Sequence, residues 1–171
     1  MKLQSIKELI VDVPDFPKPG IIFKDITPIL SNHHAFQSLI KVMAESVPQT
    51  ATHLAAIESR GFILGAALAQ HLDKCLVLVR KKGKLPRKTM SISYDLEYGQ
   101  DTLEIQEGDL KPGDKVVIVD DVLATGGTAQ ATEALCQKMG AEVVEHLFLM
   151  ELTFLGGRQR LEKPIQAIFS Y

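Results

Sequence analysis

Lys115 to Thr128 reads KVVIVDDVLATGGT, and its pattern decides the fold. Val116 to Val119 is an unbroken β-branched run, the composition of a strand buried on both faces of a parallel sheet. It ends in Asp120 and Asp121, and because successive side chains leave opposite faces of a strand, at least one carboxylate sits at the sheet's ligand edge. Ala124, Thr125, Gly126, Gly127 and Thr128 follow at the predicted start of a helix. Backbone N–H groups there can surround phosphate oxygens, and the glycines permit close approach and unusual dihedrals. Carboxylates beside a phosphate cradle make sense if the ligand also carries a diol, since one carboxylate accepts two hydroxyl hydrogen bonds. A pentose with a 5′-phosphate offers both groups. The bland alternative is a capped helix after a tight loop with solvated aspartates. Neither GxxxxGK[ST] nor GxGxxG occurs in the segment.

Outward from this segment, strand and helix alternate. Strands are predicted at His53 to Ile57, Leu76 to Val79, Val116 to Val119, Val143 to Met150 and Ile165 to Ser170. Helices are predicted at Ser5 to Val11, His34 to Ser46, Phe62 to Leu72 and Gly127 to Met139, with Ala66, Ala67 and Ala69 allowing the third to pack closely. The pattern predicts one α/β domain over residues 1–171, a mostly parallel central sheet with helices on both faces and ligands beyond the carboxyl ends of its strands. Lys81 to Gly113 breaks the rhythm: SISYDLEY and TLEI alternate as a hairpin around Gly99 and Gln100, after the basic stretch KKGKLPRKTM. So long an irregular interval is either an active-site lid or a plain surface hairpin.

The bulk properties narrow the class. Nineteen basic against 21 acidic side chains give a net charge of −2, which offers no bulk attraction to nucleic acid or an anionic membrane. No stretch approaches 18 apolar residues, and the amino terminus lacks a signal-type apolar core, so a cytoplasmic enzyme is expected. Cys75 and Cys136 are far apart in sequence and are expected to be reduced, buried packing residues. The five histidines show no metal spacing.

Three further segments carry chemistry. The turn ESRG, Glu58 to Gly61, joins a strand to a helix and can present Ser59, Arg60 and backbone N–H groups to another anion, or can be an ordinary capped turn. Arg80, Lys81, Lys82, Lys84, Arg87 and Lys88 form a basic cluster. Alone it reads as a solvated face or weak nucleic-acid patch; directly after a central strand it suits a highly anionic group. Phe23 in the triplet IIF could stack on a flat heteroaromatic ring or make a small core contact.

The opening segment closely resembles the substrate motif of the type I phosphoribosyltransferases. FPKPGIIFKDITPIL, ESRGF, RKKGKLP and YDLEYG, in this order across nearly the whole chain, resemble the adenine-specific branch of that family. The resemblance implies a type I phosphoribosyltransferase fold with a small N-terminal hood (residues 1–32) for the base and a flexible hairpin lid (residues 81–103). It implies a pentosyltransferase of purine salvage, joining adenine to phosphoribosyl diphosphate to give AMP and diphosphate. Asp120 and Asp121 would then engage the ribose, Ala124 to Thr128 the 5′-phosphate, and Ser59, Arg60, Arg80, Lys81 and Lys84 the diphosphate. Ile22, Phe23 and Lys24 would receive adenine, through ring packing and backbone groups. Arg60, Glu97 and Tyr98 would be catalytic, with Glu97 handling a proton on the purine. Mg²⁺ would be held mainly by substrate oxygens and water, the Glu58–Ser59 peptide would be cis, and the enzyme would be a homodimer. Glutamate at position 58 and lysine at position 24 depart from the aspartate and arginine common in relatives. A phosphoribosyltransferase acting on an oxopurine is the nearer alternative. A ligand-sensing nucleic-acid binder on the same fold is the more distant one, and no appended helix-turn-helix supports it.

Overall fold

The computed structural model describes residues 1–95 and 99–171. It divides into two compact units, residues 1–42 and 43–171. In the first, α1 (Leu3–Lys7) precedes a two-stranded antiparallel ribbon of β1 (Val11–Pro14) and β2 (Ile22–Asp25), in which Val13 pairs with Phe23. Two helices follow, α2 (Thr27–Leu30) and α3 (His33–Glu45), the latter running past residue 42. Ile6, Ile26, Ile29, Ala35 and Leu39 are buried.

The second unit is a seven-stranded sheet. Its strands are β3 (His53–Ile57), β4 (Cys75–Lys81), β5 (Thr89–Asp95), β6 (Gln100–Gln106), β7 (Lys115–Leu123), β8 (Glu142–Glu151) and β9 (Ile165–Ser170), in the spatial order β5-β6-β4-β3-β7-β8-β9. The five strands from β4 to β9 across the sheet are mutually parallel, and β6 and β5 add an antiparallel edge. Two crossover helices, α4 (Arg60–Leu72) and α5 (Gly127–Lys138), connect β3 to β4 and β7 to β8. These connections run in opposite directions along the sheet, so the strand order reverses between β3 and β7. That reversal opens a crevice at the carboxyl ends of these two strands, where α/β sheets bind ligands.

Several predicted features change, beginning with the first helix, predicted at Ser5 to Val11, which spans Leu3–Lys7 and leaves Val11 to open β1. Ala66 is exposed and Ala67 half-buried; α4 approaches β3 through Gly65, where a Cβ would lie 2.5 Å from that of Ala56. Cys75 is exposed at the start of β4, while Cys136 is buried in α5 with its thiol pushed up to about 12 by desolvation and then by Glu133. Deep in the same unit, His146 Nε2 on β8 lies 2.8 Å from Glu133 Oε2 on α5, a polar tie between helix and sheet.

Candidate active site

β7 runs to Leu123, longer than its apolar run alone predicts, because β8 continues to pair with it as far as Glu151. Asp120 and Asp121 therefore lie within a strand, held by its ladder. The Asp121 N–H donates to Asp120 Oδ1 at 2.8 Å. Desolvation, and then the negative charge of Asp121, hold the Asp120 carboxyl well above the ordinary carboxylate range. Asp121 is buried, with Oδ2 lying 2.8 Å from Arg60 Nε as an ion pair. A buried carboxylate oxygen with spare accepting capacity suits a ligand hydroxyl.

Beyond Leu123 the chain turns through a cleft of about 80 Å³ lined by Asp120, Ala124 to Ala129 and Phe148. At roughly 10–15 Å³ for each water-sized group, that space accommodates the oxygens of one phosphate. Gly126 has φ +83° at the N-cap of α5, a left-handed conformation that favours glycine. Gly127 opens the helix without a positive φ, so only the first glycine of the pair is required by backbone conformation.

A residue outside the predicted site holds this loop from behind. Gly157, in a 3-10 turn at Gly157–Arg160, presses its backbone against it: a Cβ there would lie 2.1 Å from the Ala124 carbonyl oxygen and 2.9 Å from Gly126 N. Reciprocally, a Cβ on Gly126 would meet the Gly157 oxygen at 2.5 Å. The sequence signal was the second Gly-Gly pair, Gly156-Gly157, in a segment without strand or helix periodicity. Arg158 anchors that turn, with Nε and Nη2 donating to Glu151 at the end of β8 and Nη1 to the Ile165 carbonyl. On the far side of Gly127, Tyr94, Asp95, Gln130 and Arg160 line a wider cleft of about 390 Å³.

From β3, the Glu58–Ser59 peptide is cis and leads into α4. Ser59 is exposed at the N-cap and makes no side-chain capping bond. Gly61 lets the first turn of α4 close on β7, since a Cβ there would come 2.9 Å from Asp120 Oδ1. Two of the cations expected near a diphosphate, Arg80 and Lys81, are already engaged. Arg80 Nε donates to Glu58 Oε2 at 2.6 Å and Nη1 to the Lys84 carbonyl at 3.1 Å, with its guanidinium over the Phe62 ring. Lys81 Nζ pairs with Asp101 Oδ2 at 3.0 Å, which raises the lysine's pKa and lowers the aspartate's. Lys84 is exposed in the turn after β4.

The structure thus brings Ser59, Arg60, Arg80, Lys81, Lys84, Asp120, Asp121 and Ala124 to Thr128 into one unit. Ile22, Phe23 and Lys24 belong to the N-terminal unit. There, the Phe23 ring meets Phe16 edge-on at 5.1 Å, and Lys24 Nζ bonds Asp12 at 2.6 Å. Glu97 and Tyr98 lie outside the described residues. Among the described residues no three carboxylate, histidine or cysteine side chains converge on a metal position. Beside the cradle the protein offers the Asp120–Asp121 pair, so Mg²⁺ fits only as an ion completed by ligand oxygens and water. No described helix is long and apolar enough to cross a membrane.

Comparison with known proteins gives one answer. The phosphoribosyl transferase domain family matches residues 26–168. An adenine phosphoribosyltransferase of Carboxydothermus hydrogenoformans is 57% identical over 169 residues, covering 98% of this chain and 99% of that one. The crystal structure of adenine phosphoribosyltransferase from Thermoanaerobacter pseudethanolicus superposes with a TM-score of 0.97 at 46% identity, covering 99% and 100% of the two chains. That from Saccharomyces cerevisiae, complexed with an imino-altritol bisphosphate and adenine, superposes with a TM-score of 0.91 at 40% identity over 97% of each.

Proposed function

Because this chain belongs to the phosphoribosyltransferase family, in its adenine-specific branch, we propose how its residues divide the work of that reaction. The enzyme transfers the 5-phosphoribosyl group of phosphoribosyl diphosphate to N9 of adenine, giving AMP and diphosphate. The observation that carries the assignment is the placement of the Asp120–Asp121 pair on the strand that runs into the loop Ala124 to Thr128. Carboxylate acceptors and a phosphate-sized cradle at that spacing suit a ribose diol and its 5′-phosphate.

Departure of diphosphate leaves positive charge at the anomeric carbon. Asp120 and Asp121 orient the sugar hydroxyls, and the Asp121 carboxylate places negative potential near that carbon. Arg60, Arg80, Lys81 and Lys84 stabilise the leaving anion, with Ser59 and the first N–H groups of α4 as donors. Mg²⁺, which the family uses, supplies charge neutralisation on the diphosphate when bound. Glu97 manages the purine proton and Tyr98 assists at the reaction, roles that rest on the family resemblance.

Ile22, Phe23 and Lys24 receive adenine. Ile22 and Lys24, two residues apart, direct their N–H and C=O groups to the same side. Carbonyl acceptors suit the exocyclic amine of adenine, whereas an oxopurine presents an acceptor there. Lys24 is held by Asp12, which leaves recognition to the backbone and to Phe23. A cytoplasmic homodimer with no nucleic-acid or membrane partner completes the proposal, resting on the family resemblance.

The test is a product assay with Mg²⁺, phosphoribosyl diphosphate and each purine in turn, read by mass spectrometry. AMP from adenine, with no nucleotide from hypoxanthine, guanine or xanthine, is the expected result. Nucleotide formation from an oxopurine at a comparable rate would overturn the base assignment.

A further inference from the structure

Tyr94 and Asp101 are directly opposite each other in the β5–β6 hairpin, so their side chains share one face of it. Each reaches off the hairpin to a different part of the site. Tyr94 Oη lies 3.3 Å from Thr128 Oγ1, at the phosphate loop. Asp101 Oδ2 holds Lys81 Nζ at 3.0 Å, while its Oδ1 accepts the Thr102 N–H at 2.8 Å. The Tyr94 ring packs against the core beneath α5, so its hydroxyl is carried on a fixed body.

We propose that this single rung is a positioning element, coupling the hairpin with opposite signs to the two anionic ends of phosphoribosyl diphosphate; the inference rests on the site reading above. At the phosphate end the chemistry fixes a direction. A phosphate dianion only accepts, so the Thr128 hydroxyl must give its proton to the ligand. Its lone pair is then free to accept from Tyr94 O–H. The chain from Tyr94 through Thr128 to phosphate is polarised along its length, and each bond strengthens the next. At the diphosphate end the sign is opposite. Asp101 competes with the incoming anion for Lys81, so the rung resists binding there until the lysine is shared or released. The rung thus favours the ligand through Tyr94 and Thr128 and holds it off through the competition for Lys81, so both subsites act on the same pair of hairpin strands.

Isothermal titration of ribose 5-phosphate, and separately of inorganic diphosphate with Mg²⁺, tests this on the intact protein. Tyr94→Phe keeps the packed ring and removes one hydroxyl; it should weaken ribose 5-phosphate about 3–10-fold and leave diphosphate unchanged. Asp101→Asn keeps the acceptor for Thr102 N–H and removes the charge. It should tighten diphosphate about 2–5-fold and leave ribose 5-phosphate unchanged. In a Thr128→Val background, Tyr94→Phe should have no further effect, because its partner is gone. Additive effects there, or both variants shifting both ligands in the same direction, would overturn the rung's role, since a general loosening of the hairpin has no reason to split by ligand and sign. Wild-type protein that bound neither ligand would overturn the site reading itself, and the rung with it.

Discussion

Gly157→Ala is the sharpest probe of how the phosphate cradle is held. The added Cβ would lie 2.1 Å from the Ala124 carbonyl oxygen and 3.0 Å from its carbonyl carbon. Both are backbone atoms, so no rotamer change relieves the contact. Restoring an ordinary separation of roughly 3.4 Å requires a relative shift of about 1.3 Å between the turn and the loop, and a misplacement of about 1 Å already costs on the order of 10²-fold in rate. The overpacking itself costs about 2 kcal/mol, or roughly 4–8 °C in Tm for a chain of this size. Steady-state kinetics should therefore show kcat/KM for phosphoribosyl diphosphate falling about 100-fold. Gly156→Ala is the matched control. Its φ of +65° makes alanine strained, by about 1–2 kcal/mol, yet its nearest neighbours are Gln159 side-chain atoms at 3.8 Å and beyond. It should lose comparable stability and keep near-normal kinetics. If Gly157→Ala retained kcat/KM within a few-fold of wild type, the cradle would not depend on its backing turn.

Three other outcomes are expected. Asp120→Asn should stabilise the free protein, because burial raises the native carboxyl's pKa above its unfolded value and ionisation therefore opposes folding. The stabilisation should be absent below the unfolded carboxyl range and grow as pH rises toward the native value; a Tm difference independent of pH would refute the sign, and activity should fall regardless. Glu97→Ala should lower kcat by about 10²–10⁴-fold, the usual range for a general acid or base, with ribose 5-phosphate binding intact; unchanged kcat and kcat/KM would sink the proton-transfer role. Arg158→Ala strips Glu151, itself 5% exposed, of its partner, and should cost about 1–3 kcal/mol in chemical denaturation. No measurable loss would show that the turn carrying Gly157 is anchored elsewhere.

Sheet strands were legible wherever β-branched runs met clear turn residues: His53–Ile57 and Ile165–Ser170 have their predicted ends. The hairpin around Gly99 and Gln100 was legible from alternation, and α5 from the glycines that open it. β7 was read short, because two aspartates look like the end of a strand; only the partner strand, pairing on to Glu151, shows that the ladder continues. Asp120, Asp121 and the cradle were legible because one contiguous segment carries them. Gly157 was not. The contact between Gly126 and Gly157 joins positions 31 residues apart, and no local periodicity encodes which glycine pair will face which. Nor could sequence show that Cys75 is exposed, since an apolar strand start is compatible with either side of the sheet.

The sequence presented the basic cluster as a block of charge, but the structure divides it by what each cation can do while paired. Arg80 gives Nε to Glu58 and Nη1 to the Lys84 carbonyl, yet a guanidinium has five N–H donors. It can keep its carboxylate and still hold a phosphate oxygen, so its pairing is preorganisation. Lys81 differs. Its side chain is 58% exposed, and its bond to Asp101 is an exposed ion pair of the kind worth at most about 1 kcal/mol. An ammonium on a flexible stem can leave such a partner for a more highly charged anion at little cost. Arginine and lysine, adjacent at the end of β4, thus play different parts in one site: the first fixes where the anion goes, and the second moves to meet it. Exchanging them, even with total charge conserved, would remove both the fixed fork and the mobile charge.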